Sequence, residues 1–285
     1  MSMNTTLFIS PHLDDAVFSC AGMMQRAAAS GENVVIATVF TEGQGAYHLR
    51  RAEDETAVRL LGAHHMHLGQ TDAWDRDVAY RSFGEIVFGW QAADEQIMDT
   101  TAGLLERLGI LLRPQRVFAP LAVGTHVDHR IVHQAAKRAG WPCKVLFYED
   151  RPYAYAHDAV ALRLREIGYD GGPVDVAALL GSFRHLPHVK KYLPPGNERR
   201  DCEQRLTTPL REGADFRPEA VSSWLCCTPE ETRAAHKAAT FYKSQITAFC
   251  GTRRRLSRMD QNHSLRLGRQ APRTERYWQL PEPTH

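Results

Sequence analysis

Thr6-Leu7-Phe8-Ile9-Ser10-Pro11-His12-Leu13-Asp14-Asp15-Ala16-Val17-Phe18 is the stretch whose reading decides the fold. Leu7 to Ser10 make a short, unbroken run of the kind found in a strand buried on both faces. Pro11 lacks a ladder donor and ends that strand. Ala16 to Ala29 then reads as a helix, with apolar residues at Val17, Cys20, Met24 and Ala27. His12, Asp14 and Asp15 therefore lie at the carboxyl end of a strand, the edge at which open α/β sheets bind ligands. With a helix starting near Leu13, His12 and Asp15 are three apart and point the same way, while Asp14 points elsewhere. One histidine and one carboxylate converging, with a second carboxylate beside them, suits a catalytic metal and a base. The competing reading is that Asp14 or Asp15 only caps a helix N-terminus.

Working outward, a second stretch has the same grammar. Val117-Phe118-Ala119-Pro120 feeds a loop, Gly124-Thr125-His126-Val127-Asp128-His129 follows, and a helix with Ile131, Val132, Ala135 and Ala136 comes next. The intervening chain alternates. Strands are expected at 33–40, 64–68, 116–119 and 144–148, and helices at 49–61 (stopped by Gly62), 97–112 (ended before Pro114) and 128–139 (capped by Gly140). Such alternation predicts an α/β fold, a Rossmann-like three-layer sandwich with a mostly parallel sheet. In the strand order 3-2-1-4-5 the first and fourth strands are neighbours, and the crevice between them unites the two motifs.

Gln70 to Gly84 is long, polar and aromatic, as a lid would be. Residues 5–155 form the expected core and 156–285 an elaboration over the site, within one domain. The elaboration carries expected helices at 159–167 and 228–249, the latter opened by Thr228-Pro229-Glu230-Glu231.

The totals restrict the function. With 43% hydrophobic and 24% charged residues over 285 positions, the chain is globular rather than disordered. A formal net charge of +2 predicts no pull toward nucleic acid. The basic segment from Arg253 to Arg273 is either a solvated face or a contact for an anion. Six cysteines without a C-x-x-C pair read as reduced thiols of a cytoplasmic protein. No run approaches the roughly 20 apolar residues of a membrane span, and no signal peptide is evident. A homo-oligomer is left open.

Catalytic zinc keeps three His or carboxylate ligands and an open position for water. His12, Asp15 and His129 are the expected ligands, with Asp14 as general base. His126, one turn from His129, would face the developing oxyanion and protonate the leaving group, with Asp128 orienting its ring and keeping it charged. Each has a simpler alternative: a supporting or capping histidine for His126, an N-cap for Asp128. His64, His65 and His67 resemble a metal cluster, but sit in or beside a strand whose side chains alternate sides.

Pro11-His12-Leu13-Asp14-Asp15 together with His126-Val127-Asp128-His129 resembles the PIG-L, or LmbE-like, family of zinc-dependent deacetylases related to the glycosylphosphatidylinositol and mycothiol pathways. Arg50, Glu53, Ala57, Leu61 and Gly62, then Asp72, then Tyr148-Glu149-Asp150-Arg151-Pro152-Tyr153, extend the resemblance over roughly residues 5–155. Lys243-Ser244-Gln245 and Glu275-Arg276-Tyr277-Trp278 add patches beyond. Leu13 and Ala16 depart from the Pro and Glu of many relatives, which bears on substrate subgroup more than on metal binding. The resemblance implies removal of an N-acetyl or other N-acyl group from a small amino sugar or glycoconjugate, with Zn2+ or another divalent transition metal. A non-sugar amide is the alternative substrate, and a non-catalytic metal-binding protein the third reading. Arg50 and Asp72 match the family's substrate-contacting positions, an ordinary solvated helix residue being the alternative for Arg50. Tyr148, Glu149 and Tyr153 either line the site or merely pack.

Overall fold

A computed structural model describes residues 4–208 and 220–281. Residues 209–219 and 282–285 of the expected elaboration lie outside the described residues. Among the described residues seven strands form one sheet: β1 (Thr5–Ser10), β2 (Asn33–Glu42), β3 (His64–Thr71), β4 (Arg116–Pro120), β5 (Val145–Tyr148), β6 (Val221–Cys226) and β7 (Thr274–Gln279). Their order is β3-β2-β1-β4-β5-β7-β6. β1 pairs in parallel with β2 on one side and β4 on the other, with Phe8 opposite both Ile36 and Phe118. The expected 3-2-1-4-5 order is thus present, and β5 continues into the antiparallel pair β7 and β6.

Every residue of β1 is buried. Its side chains divide between two apolar layers, Phe8 on one face of the sheet and Leu7 and Ile9 on the other. That two-sided burial explains why the strand reads as a continuous apolar run rather than an alternating one. On Phe8's side the layer continues through Ile36, Phe118 and Met24 of the helix Asp15–Ala29. On the other it runs through Val35, Ala37, Val117 and the helices Ala92–Leu112 and Val127–Arg138.

The elaboration joins the same sheet, a feature the sequence reading did not contain. β6 has one buried residue out of six, and β7 runs Glu275 and Arg276 directly into Tyr277 and Trp278, so neither shows a clean period of two. The expected helix at 228–249 is two helices, Pro229–Ala239 and Lys243–Phe249. The first does carry the capping box, Thr228 and Glu231 each accepting the other's backbone N–H. Gly140 is not a cap, since Ala139 ends its helix in an extended conformation. Arg273 is not on a solvated face either. It is buried with Arg151, and both donate to Asp260, whose carboxylate also accepts from Tyr155 Oη and His236 Nε2. Among the described residues no helix is long and apolar enough to cross a membrane.

Candidate metal centre and active site

Backbone bonding fixes the turn after β1. Ser10 Oγ donates to the His12 carbonyl (2.6 Å) and accepts from Ala16 N–H (3.0 Å), and Phe40 N–H donates to the Pro11 carbonyl (2.9 Å). Asp14 occupies the cap position of the helix Asp15–Ala29, yet its side chain makes no capping bond. Its Oδ2 is buried without a hydrogen-bond partner. The capping alternative therefore does not account for Asp14.

Asp15 Oδ2 lies 3.2 Å from His12 Nδ1 and 3.2 Å from His129 Nε2. The far nitrogen of each ring is held by another carboxylate. His12 Nε2 meets Asp128 Oδ2 at 3.0 Å, and His129 Nδ1 meets Asp150 Oδ1 at 2.7 Å. Asp150 is in turn steadied by Val123 N–H, and Asp128 by Ala73 N–H and Arg76 Nη1. Five buried or nearly buried carboxylates (Asp14, Asp15, Asp72, Asp128 and Asp150) lie together, with Arg50 against Asp72 and Arg76 against Asp128. This excess of negative charge, two converging imidazoles and carboxylate-anchored ring tautomers are the donor chemistry of a divalent-metal site. His12, Asp15 and His129 have ligating atoms within 4.8 Å of one another, as do His12, His126 and Asp128.

The residue types around Asp14 shift its proton affinity. Burial, then the charge of Asp15, raise its pKa to about 7, with Arg50 opposing. The same burial drives His126 the other way, down to about 3, helped by the neighbouring His12 and His129. The rings of His12, His126 and His129 form a triangle with centroids 4.9–5.3 Å apart. The expectation that Asp128 orients His126 and keeps it charged is therefore corrected. The Asp128 carboxylate is engaged by His12 and Arg76, and His126 meets only its backbone, accepting the Asp128 N–H at Nδ1 (3.2 Å). That bond leaves the His126 proton on Nε2.

The loop that delivers His126 needs unusual backbone. Ala122, Gly124 and Thr125 all have positive φ. A Cβ on Gly124 would sit 2.4 Å from the Tyr153 ring, so only glycine admits Tyr153 against this loop.

A pocket of about 530 Å³ opens over these residues. Arg50 and Asp72 line it, 3.9 Å apart, with Tyr47 Oη donating to Asp72 (2.7 Å). Trp74, Arg81 and Phe83 from the 70–84 segment, which folds into short turns rather than an open loop, supply one wall. Tyr153, His188, Tyr192, Gln245 and Phe249 supply the other. Tyr148 and Glu149 are not in this pocket. Tyr148 is sealed in the core with its hydroxyl donating to the Ile9 carbonyl (2.9 Å). Glu149, just past the end of β5, is buried and is bound by Arg276, Trp278 Nε1 and His263. Tyr153, expected either to line the site or to pack, lines the pocket; Asp150 and His188 are absent from the sequence reading of the site, although Asp150 is marked as the carboxylate at the end of β5, next to the strand that delivers His129. His65 and His67, two apart on edge strand β3, share a face with Glu55, with ligating atoms within 4.8 Å, away from the pocket.

The model of the PIG-L family, described as GlcNAc-PI de-N-acetylase, matches residues 7–140. Over 176 residues the chain is 35% identical to the 2'-N-acetylparomamine deacetylase of Streptomyces fradiae, covering 54% of this chain and 60% of that protein. The crystal structure of the A40926 pseudoaglycone deacetylase Dbv21 superposes with a TM-score of 0.66 at 17% identity, each chain covered completely. The 4-carboxy-2-hydroxymuconate hydratase GalB of Pseudomonas putida shares the fold at a TM-score of 0.52 and 15% identity, covering 99% of both chains. The two structural matches speak to architecture, and it is residues 7–140, the segment that carries both motifs, that match the PIG-L family model.

Proposed function

We propose that this chain is a metal-dependent amide hydrolase that removes an N-acetyl group from an amino sugar or glycoconjugate. The observation that carries the reading is Asp14: a buried carboxylate with an unpaired oxygen, next to the converged His12, Asp15 and His129. A hydratase on the same fold shows that architecture alone does not choose the reaction. The naming of the Streptomyces fradiae relative supports an N-acetylated amino sugar as substrate.

His12 Nδ1, Asp15 Oδ2 and His129 Nε2 would hold the metal, for which zinc is the proposed identity. When bound, it supplies Lewis acidity to the scissile carbonyl and to the attacking water. Asp14 accepts a proton from that water as its oxygen attacks the acyl carbon. His126, neutral and protonated at Nε2, donates a hydrogen bond to the carbonyl oxygen as negative charge develops there. Asp14 then passes its proton to the departing nitrogen, in place of the expected His126, whose pKa burial pushes down to about 3, giving a carboxylic acid and a free amine. One residue can act first as base and then as acid because its proton affinity lies near neutrality. Arg50, close to Asp14 and Asp72, lines the pocket beside the proposed base.

The test is acetate release by metal-loaded protein from N-acetylglucosamine, 2'-N-acetylparomamine and N-acetylated non-sugar amides. Release from the sugars supports the reading. Release confined to non-sugar amides would replace it by the amidase alternative.

A further inference from the structure

His188 has no role in the chemistry above, yet it lies on the pocket wall. It belongs to the short helix Pro187–Tyr192 and is only 8% exposed. Neither of its ring nitrogens has a hydrogen-bond partner. The ring is held edge-on by Tyr153 (centroids 5.0 Å apart, planes at 79°) and lies near-parallel to Phe83 at 6.5 Å. Tyr153 in turn stands edge-on to His129 at 5.7 Å. His188 is thus one aromatic ring further out than a proposed metal ligand.

Two spaces border this imidazole. One is the 530 Å³ pocket. The other is a smaller chamber behind it, of about 40 Å³, whose walls are almost wholly hydrocarbon, including Val87, Leu162, Leu179 and Phe183. Thr125, Arg163 and Glu166 also line that chamber, and neither ring nitrogen of His188 is bonded to any of them. A buried polar group without a partner is costly, and such groups in folded proteins call for an explanation. A leucine or phenylalanine would fill this wall without the cost. Burial holds the ring neutral, its pKa pushed down to about 4. A neutral imidazole offers one N–H donor and one bare acceptor, a match for a hydroxyl or an amide rather than an ion.

We propose that His188 is a substrate-contacting residue whose ring hydrogen-bonds an uncharged hydroxyl or amide group of the bound sugar. The inference deepens the amino-sugar reading above and rests on it. It assigns part of the specificity to a helix outside the motif-bearing core.

The test uses the metal-loaded full-length chain carrying Asp14→Asn to prevent turnover, with N-acetylglucosamine as the calorimetric probe. Further variants are His188→Leu, which keeps volume, and His188→Gln, which keeps a donor and an acceptor. Expected is a Kd about tenfold higher for His188→Leu, equivalent to about 1.4 kcal/mol, with His188→Gln within about threefold of the parent. Without sugar, His188→Leu should melt at the same temperature as the parent or higher. Unchanged affinity in His188→Leu would overturn the proposal, as would a fall of several degrees in its unliganded melting temperature, because the ring would then be bonded inside the protein. N-acetylglucosamine that binds neither parent nor variant would remove the amino-sugar reading itself, and with it the ligand assigned to His188.

Discussion

Replacing Asp260 by Asn should destabilise the protein far more than a typical surface change. Asp260 is fully buried and accepts four hydrogen bonds: from Arg151 Nη1 (2.7 Å), Tyr155 Oη (2.7 Å), His236 Nε2 (2.8 Å) and Arg273 Nη1 (3.0 Å). Both arginines are buried as well. Asparagine removes the charge that compensates them and turns an NH₂ toward groups that are themselves donors. Breaking a buried pair by deleting one partner costs roughly 3–5 kcal/mol, a large part of a stability of about 5–15 kcal/mol. The pH dependence has a definite sign. Burial alone would raise the Asp260 pKa, but the charges of Arg273 and Arg151 outweigh it and hold the carboxyl well below the usual range. A depressed pKa in the folded state gives stability that is fully present above the unfolded value, about 3.9, and lost as pH falls below it. Equilibrium guanidinium unfolding of both proteins from pH 7 down to pH 3 is the assay. The gap should be about 3–5 kcal/mol at pH 7 and should shrink below about pH 4. A gap under about 1 kcal/mol at pH 7, of the size expected for an exposed pair, would refute the reasoning, as would a gap of constant size across the acid range.

Three further outcomes are expected. Asp150→Ala frees the far nitrogen of His129 and should weaken metal affinity about 10- to 100-fold in a chelator competition, while an unchanged affinity would remove Asp150 from the centre. His126→Ala should lower kcat by about 10²–10³ with little change in KM, and, since His126 is neutral over the working range, should leave the acid limb of the pH–rate profile in place; a displaced acid limb would contradict that. Tyr148→Phe deletes the bond to the Ile9 carbonyl and should cost about 1 kcal/mol of stability with kcat/KM unchanged, whereas a selective loss in KM would return Tyr148 to the site.

The half of the fold that positions the chemistry was legible because its signals are local. β1 must be apolar on both faces, and a strand buried on both sides leaves an unbroken run in the sequence. The His12–Asp15 spacing and the alternation of strand and helix did the rest, since the switch point between β1 and β4 follows from strand order. What stayed hidden depends on partners far away in the chain. Glu275 and Arg276 make β7 look like a loop, but Glu275 is buried by accepting from Gly22 N–H and Arg273, and the half-buried Arg276 pairs with Glu149. Asp128 was assigned to His126 because the two are close in sequence. The structure ties its carboxylate to His12, 116 residues away. The downward shift of His126 is hidden for the same reason: its burial, and then the closeness of His12 and His129, are visible only in three dimensions. His188 announces nothing in a segment of ordinary composition, and only its unpaired, buried ring marks it.

The most direct test of the central claim pairs two readings on one variant. Metal-loaded Asp14→Asn is compared with the unaltered protein for bound metal per chain and for acetate release from the best sugar substrate. The account predicts equal metal content, because Asp14 is not among the three ligands, with release reduced by about 10²–10⁴. Retained acetate release would show that Asp14 is not the base. Lost metal together with lost release would place Asp14 among the ligands and contradict the division of labour between it and His12, Asp15 and His129.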